Sequence, residues 1–426
     1  MPGPLLSSPH LNPNVLGLPP SATLAINERS DALIAEGRRV FKLGLGQSPF
    51  PVPASVVEAL RRAAPEKDYL PVRGLRPLRD EVTEFLHRRH GIERARRQVL
   101  VGPGSKELIF LAQLAYAGEL LVPNPSWVSY APQARIIGRR VAWLSTTLED
   151  GWKLKPDTLA DYCSANPGLP RLLILNYPNN PTGVSFTEEE LAELAAVARR
   201  HQLLVVSDEI YADLDHSGRT ASISHHYPEG TIVSTGLSKW CGAGGWRLGV
   251  LSFPEELEWL CAAMSAIASE TFTSVSAPIQ YAAIEAFRGG PDIDRYLRHC
   301  CAILGAIGNY GTLVLRGAGC HLPDVDGGFY LFPHFGSASG LTQRGIETSE
   351  ALAEQLLQDT GVATLPGSVF GRPRPEPTLR LSYVNFDGAS ALSAAQAGET
   401  VDEAFVRRHC PDTIEALSRI AEWAAG

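Results

Sequence analysis

The sequence predicts an α/β protein with two units: a large domain built on a mostly parallel sheet sandwiched by helices, and a smaller α+β domain. Three observations lead there. The chain has 426 residues, more than one ordinary hydrophobic core takes up. Through its middle, short apolar runs alternate with segments of helical period. After about residue 290 that alternation stops. The runs Val99–Val101, Leu120–Pro123, Arg171–Asn176, Leu203–Ser207, Thr231–Ser234 and Leu248–Phe253 read as strands buried on both faces. Helices lie between several of them. Thr187-Glu188-Glu189-Glu190 has the capping-box pattern, and Leu191, Leu194 and Val197 follow on one face. Strand–helix alternation of this kind gives a parallel sheet covered on both sides. Ligands of such sheets collect at the carboxyl ends of the strands, where Asn176, Asp208 and Lys239 fall.

Beyond residue 290 a helix is expected over Asp292–Leu315, then a strand over Gly327–Phe332. A helix around Ser349–Asp359, a strand over Thr378–Tyr383 and a late helix over Thr400–Arg408 follow. The first 50 residues are expected to join this second unit. The domains are therefore 51–290, and 1–50 with 291–426. No internal repeat occurs, and the Pro- and Gly-rich pieces read as loops.

Composition narrows the function. A net charge of −8 and a pI of about 5.8 argue against nucleic acid as partner. No apolar stretch in the sequence approaches the roughly 20 residues of a membrane span, and Met1-Pro2-Gly3-Pro4 lacks the basic start of a secretory signal. A cytoplasmic protein is the expectation. The seven cysteines (163, 241, 261, 300, 301, 320, 410) contain no Cys-x-x-Cys pair and read as reduced thiols, with no metal site. Cys241, two residues after Lys239, stands near the chemistry, but a catalytic thiol there is the weaker reading.

An ordered set of polar residues points to pyridoxal 5'-phosphate. An aldehyde cofactor needs a primary amine, and only lysine supplies one. Lys239 follows a predicted strand in a loop of small residues; by itself it would read as a surface lysine. A pyridine ring kept protonated needs a buried carboxylate, and Asp208 ends the run Leu203–Ser207. Glu209 points the other way by alternation. Tyr211 and Asn180 can donate to the ring's phenolic oxygen. Asn180 lies in Asn176-x-Pro178-Asn179-Asn180-Pro181-Thr182-Gly183, a string more specific than a turn requires. A phosphate suits a helix N-terminus with small residues and a fixed cation. Gly104, Ser105 and Lys106 offer backbone amides, and Ser238 and Arg247 complete the cup; Lys106 is expected to give its backbone more than its side chain. Trp127 is a candidate to stack on the ring.

These motifs resemble the fold-type I, class I/II aminotransferase family of pyridoxal-phosphate enzymes. The likeness runs from about Pro20 to Tyr383, strongest in Asn-Asn-Pro-Thr-Gly, Asp-Glu-Ile-Tyr and Ser-Lys-(x)7-Arg. It implies an aspartate-aminotransferase-like fold and a homodimer with shared active sites. It also implies that Arg380 grips the substrate α-carboxylate, that Gly46 lies in a substrate-side loop, and that Tyr69 reaches the neighbouring subunit's phosphate. Thr271–Ser276 sits where such enzymes present residues across the interface. One departure is Gly236, where the family often has Ser or Thr on the phosphate; Ser234 or Thr235 is the candidate replacement. The implied reaction moves an amino group between an L-amino acid and a 2-oxo acid. The same residues also suit β-elimination, cyclisation or oxidation on that scaffold. A regulator keeping the fold lacks support, since no basic helix-turn-helix region precedes it, and a dehydrogenase lacks its Gly-x-Gly-x-x-Gly. The amino-acid substrate is not legible, although the Gln47–Phe50 loop hints at no clamp for an acidic one.

Overall fold

Leu204–Asp208 lies at the centre of a seven-stranded sheet in the computed structural model, which describes residues 10–94, 98–219 and 221–426. The Met1–Pro4 segment falls outside the described residues. In order across the sheet the strands are Val99–Gly102, Gly249–Ser252, Thr231–Gly236, Leu204–Asp208, Arg171–Asn176, Glu119–Asn124 and Val141–Ser145. All pairings are parallel except those of Gly249–Ser252, which runs against both neighbours. The central strands are buried at every position because helices cover both faces, which is why they read as continuous apolar runs. One face packs on Ser105–Ala115 and Glu258–Glu270, the other on Pro156–Ala165 and Glu188–Arg200.

The edge strand Val141–Ser145 is absent from the sequence reading. It alternates buried and exposed residues, with Trp143 outward, so it never forms an apolar run. Glu188–Arg200 starts as expected. Thr187 Oγ1 accepts from Glu190 N at 3.2 Å, and Glu190 Oε2 accepts from Thr187 N at 2.8 Å. Its buried face, Leu191, Leu194, Ala195 and Ala198, anchors it to the sheet, each leucine worth about 1.5–3 kcal/mol.

Past residue 290 the helix Pro291–Gly317 packs against the C-terminal helix Pro411–Ala425. At 27 residues it is long and apolar enough to cross a membrane by length and composition, contrary to the sequence reading. Half of its most apolar window is buried within the molecule, as in a core helix of a globular protein. The strand expected over Gly327–Phe332 shrinks to Tyr330–Leu331, because Gly327 and Gly328 turn the chain, Gly328 at φ 67°. Tyr330–Leu331 pairs with Leu379–Ser382, which pairs with Leu365–Pro366. The expected late helix runs from Glu403 to His409, capped by Asp402, whose carboxylate accepts from Phe405 N at 2.9 Å. Phe41–Lys42 pairs in parallel with Val362–Ala363, so the N-terminal segment reaches the far end of the chain.

Candidate active site

The strand register sets Asn176 beside Asp208, and Asp208 beside Ser234, at the carboxyl edge of the sheet. Asp208 is buried. Its Oδ2 accepts a hydrogen bond from Tyr130 Oη at 2.5 Å, while Oδ1 is buried with no partner. Burial pushes this carboxyl up to about 6, with the Tyr130 bond acting against it. Glu209 turns away, as alternation predicts, and accepts from Ser207 Oγ at 2.7 Å and Ser222 Oγ at 2.6 Å. Asn176 braces the next turn: its Nδ2 donates to the Asp208 carbonyl at 2.8 Å and its Oδ1 accepts from Asn180 N at 2.8 Å.

Lys239 extends from the loop after Thr231–Gly236. Its Nζ donates to the Gly46 carbonyl at 2.7 Å and lies 5.4 Å from the Tyr211 ring centroid. Burial, then the Arg380 guanidinium, lowers this amine to about 7, where much of it is a neutral nucleophile.

A helix start and one guanidinium share the same cavity. Gly104 caps the helix Ser105–Ala115 at φ 92°, and a Cβ there would fall 2.3 Å from Arg247 Nη2, so only glycine fits. Arg247 donates to the carbonyls of Gly244 at 2.9 Å and Pro103 at 3.2 Å and has no acid partner among the described residues. At Gly236 a Cβ would meet Gly249 Cα at 2.8 Å, so the close strand pair leaves no room for a hydroxyl side chain. Ser234 and Thr235 do not line the cavity.

Arg380 is 1% exposed, yet no carboxylate meets it among the described residues. Its Nη1 donates to Asn180 Oδ1 at 3.3 Å, its Nη2 to the Gly44 carbonyl, and its Nε has no partner. The Lys106 side chain also lines the cavity, with Nζ 5.2 Å from the Trp127 ring centroid. Trp127 itself stands edge-on to Tyr130, ring centroids 5.1 Å apart.

One cavity of about 450 Å³ gathers these groups. Of the residues the sequence singles out, Gly46, Ser105, Lys106, Trp127, Asn180, Asp208, Tyr211, Ser238, Lys239, Arg247 and Arg380 line it. Gly104 shapes it from behind. Tyr69 does not: it is 92% exposed on its own chain. Cys241 is buried outside the lining, its thiol pushed up by burial. All seven cysteines are free. The described residues hold no cluster of His, Cys, Asp and Glu suited to a metal. Sequence reasoning missed Tyr130, Tyr330 and the N-terminal Ser21, Thr23 and Leu24. Tyr130 had a signal, standing three residues beyond Trp127 at the start of a helix. The others come from remote chain segments and had none.

A mostly parallel sheet thus carries at its carboxyl edge a buried amine, a buried acid and a buried guanidinium that no carboxylate meets among the described residues. Residues 38–396 match the family model for aminotransferase class I and II, and the chain belongs to that family. It is 32% identical over 406 residues to an aspartate aminotransferase of Bacillus subtilis, covering 93% of this chain and 98% of the relative. An asparagine–oxo-acid transaminase of Streptococcus mutans is also 32% identical, over 88% of this chain and 94% of its own. Among solved structures, the aspartate aminotransferase of Thermus thermophilus with maleate superposes with a TM-score of 0.83 at 27% identity, covering 98% of this chain and all of that one. The protein transfers amino groups between amino acids and oxo acids.

Proposed function

We propose that this aminotransferase works with pyridoxal 5'-phosphate held on Lys239, as a homodimer, and that its preferred substrates carry two carboxylates. The observation that carries the reading is the pairing of Lys239, an amine lowered to about 7, with Asp208, whose buried Oδ1 is without a donor, in one cavity. A protonated pyridine nitrogen is the donor that Oδ1 lacks. Gly104, Ser105 and Lys106 at the helix start, with Ser238 and Arg247, suit a phosphate. Bound there, the cofactor supplies an aldehyde for the amino group and a cationic ring that takes up the electron pair left by the α-proton.

The chain's own residues do the rest. Asp208 holds the ring proton, steadied by Tyr130. Asn180 and Tyr211 donate toward the ring's phenolic oxygen. Trp127 covers one face of the site. Arg380 meets the substrate α-carboxylate with its two-pronged edge. With the cofactor bound, Lys239 Nζ would take the substrate α-proton and deliver it to the cofactor's former aldehyde carbon, across the nitrogen, so one amine serves as both base and acid.

Substrate class follows from the cations. Lys239, Arg247 and Arg380 have assigned anions or bonds, which leaves Lys106, without an ion pair among the described residues and lowered by burial and by Arg247. A second substrate carboxylate suits it. The name of the aspartate aminotransferase of Bacillus subtilis and the maleate of the Thermus structure agree. The Gln47–Phe50 loop alone hints at no acidic clamp; Lys106 supports the opposite reading.

The exposed Tyr69 and the segment Thr271–Ser276, mostly at the surface, suit contact with a second copy. The division into 51–290, and 1–50 with 291–426, belongs to the same proposal, supported by the pairing of Phe41–Lys42 with Val362–Ala363. The test is a panel of amino acids and oxo acids with added pyridoxal phosphate. Oxo-acid consumption that is fastest for aspartate and lost in Lys239→Ala supports the reading. A visible band and activity that survive Lys239→Ala refute it.

A further inference from the structure

Two phenols touch inside the cavity. Tyr211 Oη and Tyr330 Oη lie 2.7 Å apart, and both rings are buried. They arrive from separate parts of the fold. Tyr211 follows the strand end at Asp208, while Tyr330 pairs with Ser382 on the strand that carries Arg380. A phenol has one proton to give and lone pairs to receive, so one hydroxyl must donate to the other.

The surroundings set the direction. The Arg380 guanidinium lies 4.8 Å from the Tyr330 ring centroid, and it favours negative charge on that ring's oxygen. Tyr211 also feels Arg380, though less than it feels its own burial and Tyr330; on its side stand Asp208 and Lys239, the latter 5.4 Å from the ring. Burial raises both phenols; Arg380 pulls both back, and is the leading counter-effect at Tyr330, whose ring it packs on, while Tyr211 stays well above its ordinary value. The more acidic hydroxyl is the better donor. Gly46 closes the other side of Tyr330, since a Cβ there would sit 1.9 Å from its Oη.

We propose that Tyr330 is a positioning residue: it donates its proton to Tyr211 Oη, and so turns the Tyr211 O–H into the cavity as a strengthened donor to the cofactor's ring oxygen. Chained hydrogen bonds polarise one another in a dry site, so the second bond gains from the first. This inference rests on the pyridoxal-phosphate reading above.

The experiment is a pH titration of the visible absorbance of the holoenzyme. A bond donated to the ring oxygen favours its deprotonated state and lowers the titration midpoint. Tyr330→Phe keeps the ring that Arg380 packs on and removes only the hydroxyl. It raises the midpoint by about half a unit to one unit, the scale of one hydrogen bond. Tyr211→Phe raises it further, and adding Tyr330→Phe to Tyr211→Phe changes nothing more. Gly46→Ala, which displaces the hydroxyl without deleting it, also moves the midpoint up. An unchanged midpoint in Tyr330→Phe, or an equal increment in both backgrounds, overturns the inference while the cofactor assignment stands. A chain that shows no visible band with pyridoxal phosphate overturns both.

Discussion

Tyr130 Oη donates to one oxygen of Asp208 at 2.5 Å, and the other oxygen is left buried and unpaired. The carboxylate is thus held in place yet still open to one more donor. Asp208→Asn keeps the shape and removes the charge. Turnover is expected to fall about 10²–10³-fold, the usual cost of losing one preorganised electrostatic partner. In the cofactor-free chain the Asp208 carboxyl is raised to about 6, so affinity for pyridoxal phosphate is expected to drop as pH falls through that value. Tyr130→Phe removes a bond that lowers it, which moves this drop to higher pH. Binding titrations followed by tryptophan fluorescence check both.

The lowered amine at Lys239 makes a second prediction. Its folded value of about 7 lies below that of an ordinary lysine, so between pH 7 and about 10 the unfolded chain binds more protons than the folded one. Stability of the cofactor-free chain therefore rises with pH across that window. Lys239→Met flattens this slope and raises the melting temperature most at or below pH 7. In the same way, the rate at which the chain takes up pyridoxal phosphate climbs through about pH 7 and then levels off, measured by stopped-flow absorbance.

Arg380 and Lys106 separate by substrate. Arg380→Lys keeps a charge but loses the two-pronged fork, and KM is expected to rise about tenfold or more for every amino acid. Lys106→Gln is expected to raise KM about tenfold for aspartate and leave alanine nearly unchanged. Steady-state kinetics with both substrates decide, and an equal loss on alanine would sink the role given to Lys106.

Gly46 is a packing constraint with a chemical reach. Gly46→Ala drives a methyl into Tyr330 Oη, and its carbonyl is the acceptor of Lys239 Nζ. Overpacking of this kind costs about 1–3 kcal/mol. Chemical denaturation of the cofactor-free chain measures it.

The sheet was legible wherever strands are buried on both faces, because an unbroken apolar run is itself the signal. Val141–Ser145 escaped because an edge strand alternates. The residues of the site were legible where chemistry demands one residue type at a strand end, as with Asp208 and Lys239. Tyr330 was not, since it meets Tyr211 only through the pairing of Tyr330–Leu331 with Leu379–Ser382, which no local pattern announces. Lys106 was read by its neighbours in the chain, while its side chain lies over Trp127, a placement those neighbours do not reveal.

The whole chain carries a net charge of −8, yet its cavity is walled by Lys106, Lys239, Arg247 and Arg380 against a single aspartate. Such a positive well in a negative surround repels small anions at long range and holds them at short range. Sulfate or inorganic phosphate will therefore act as competitors, and assays in concentrated phosphate buffer will understate affinity. Raising ionic strength weakens the well and the outer repulsion together, with screening over about 8–10 Å at physiological salt.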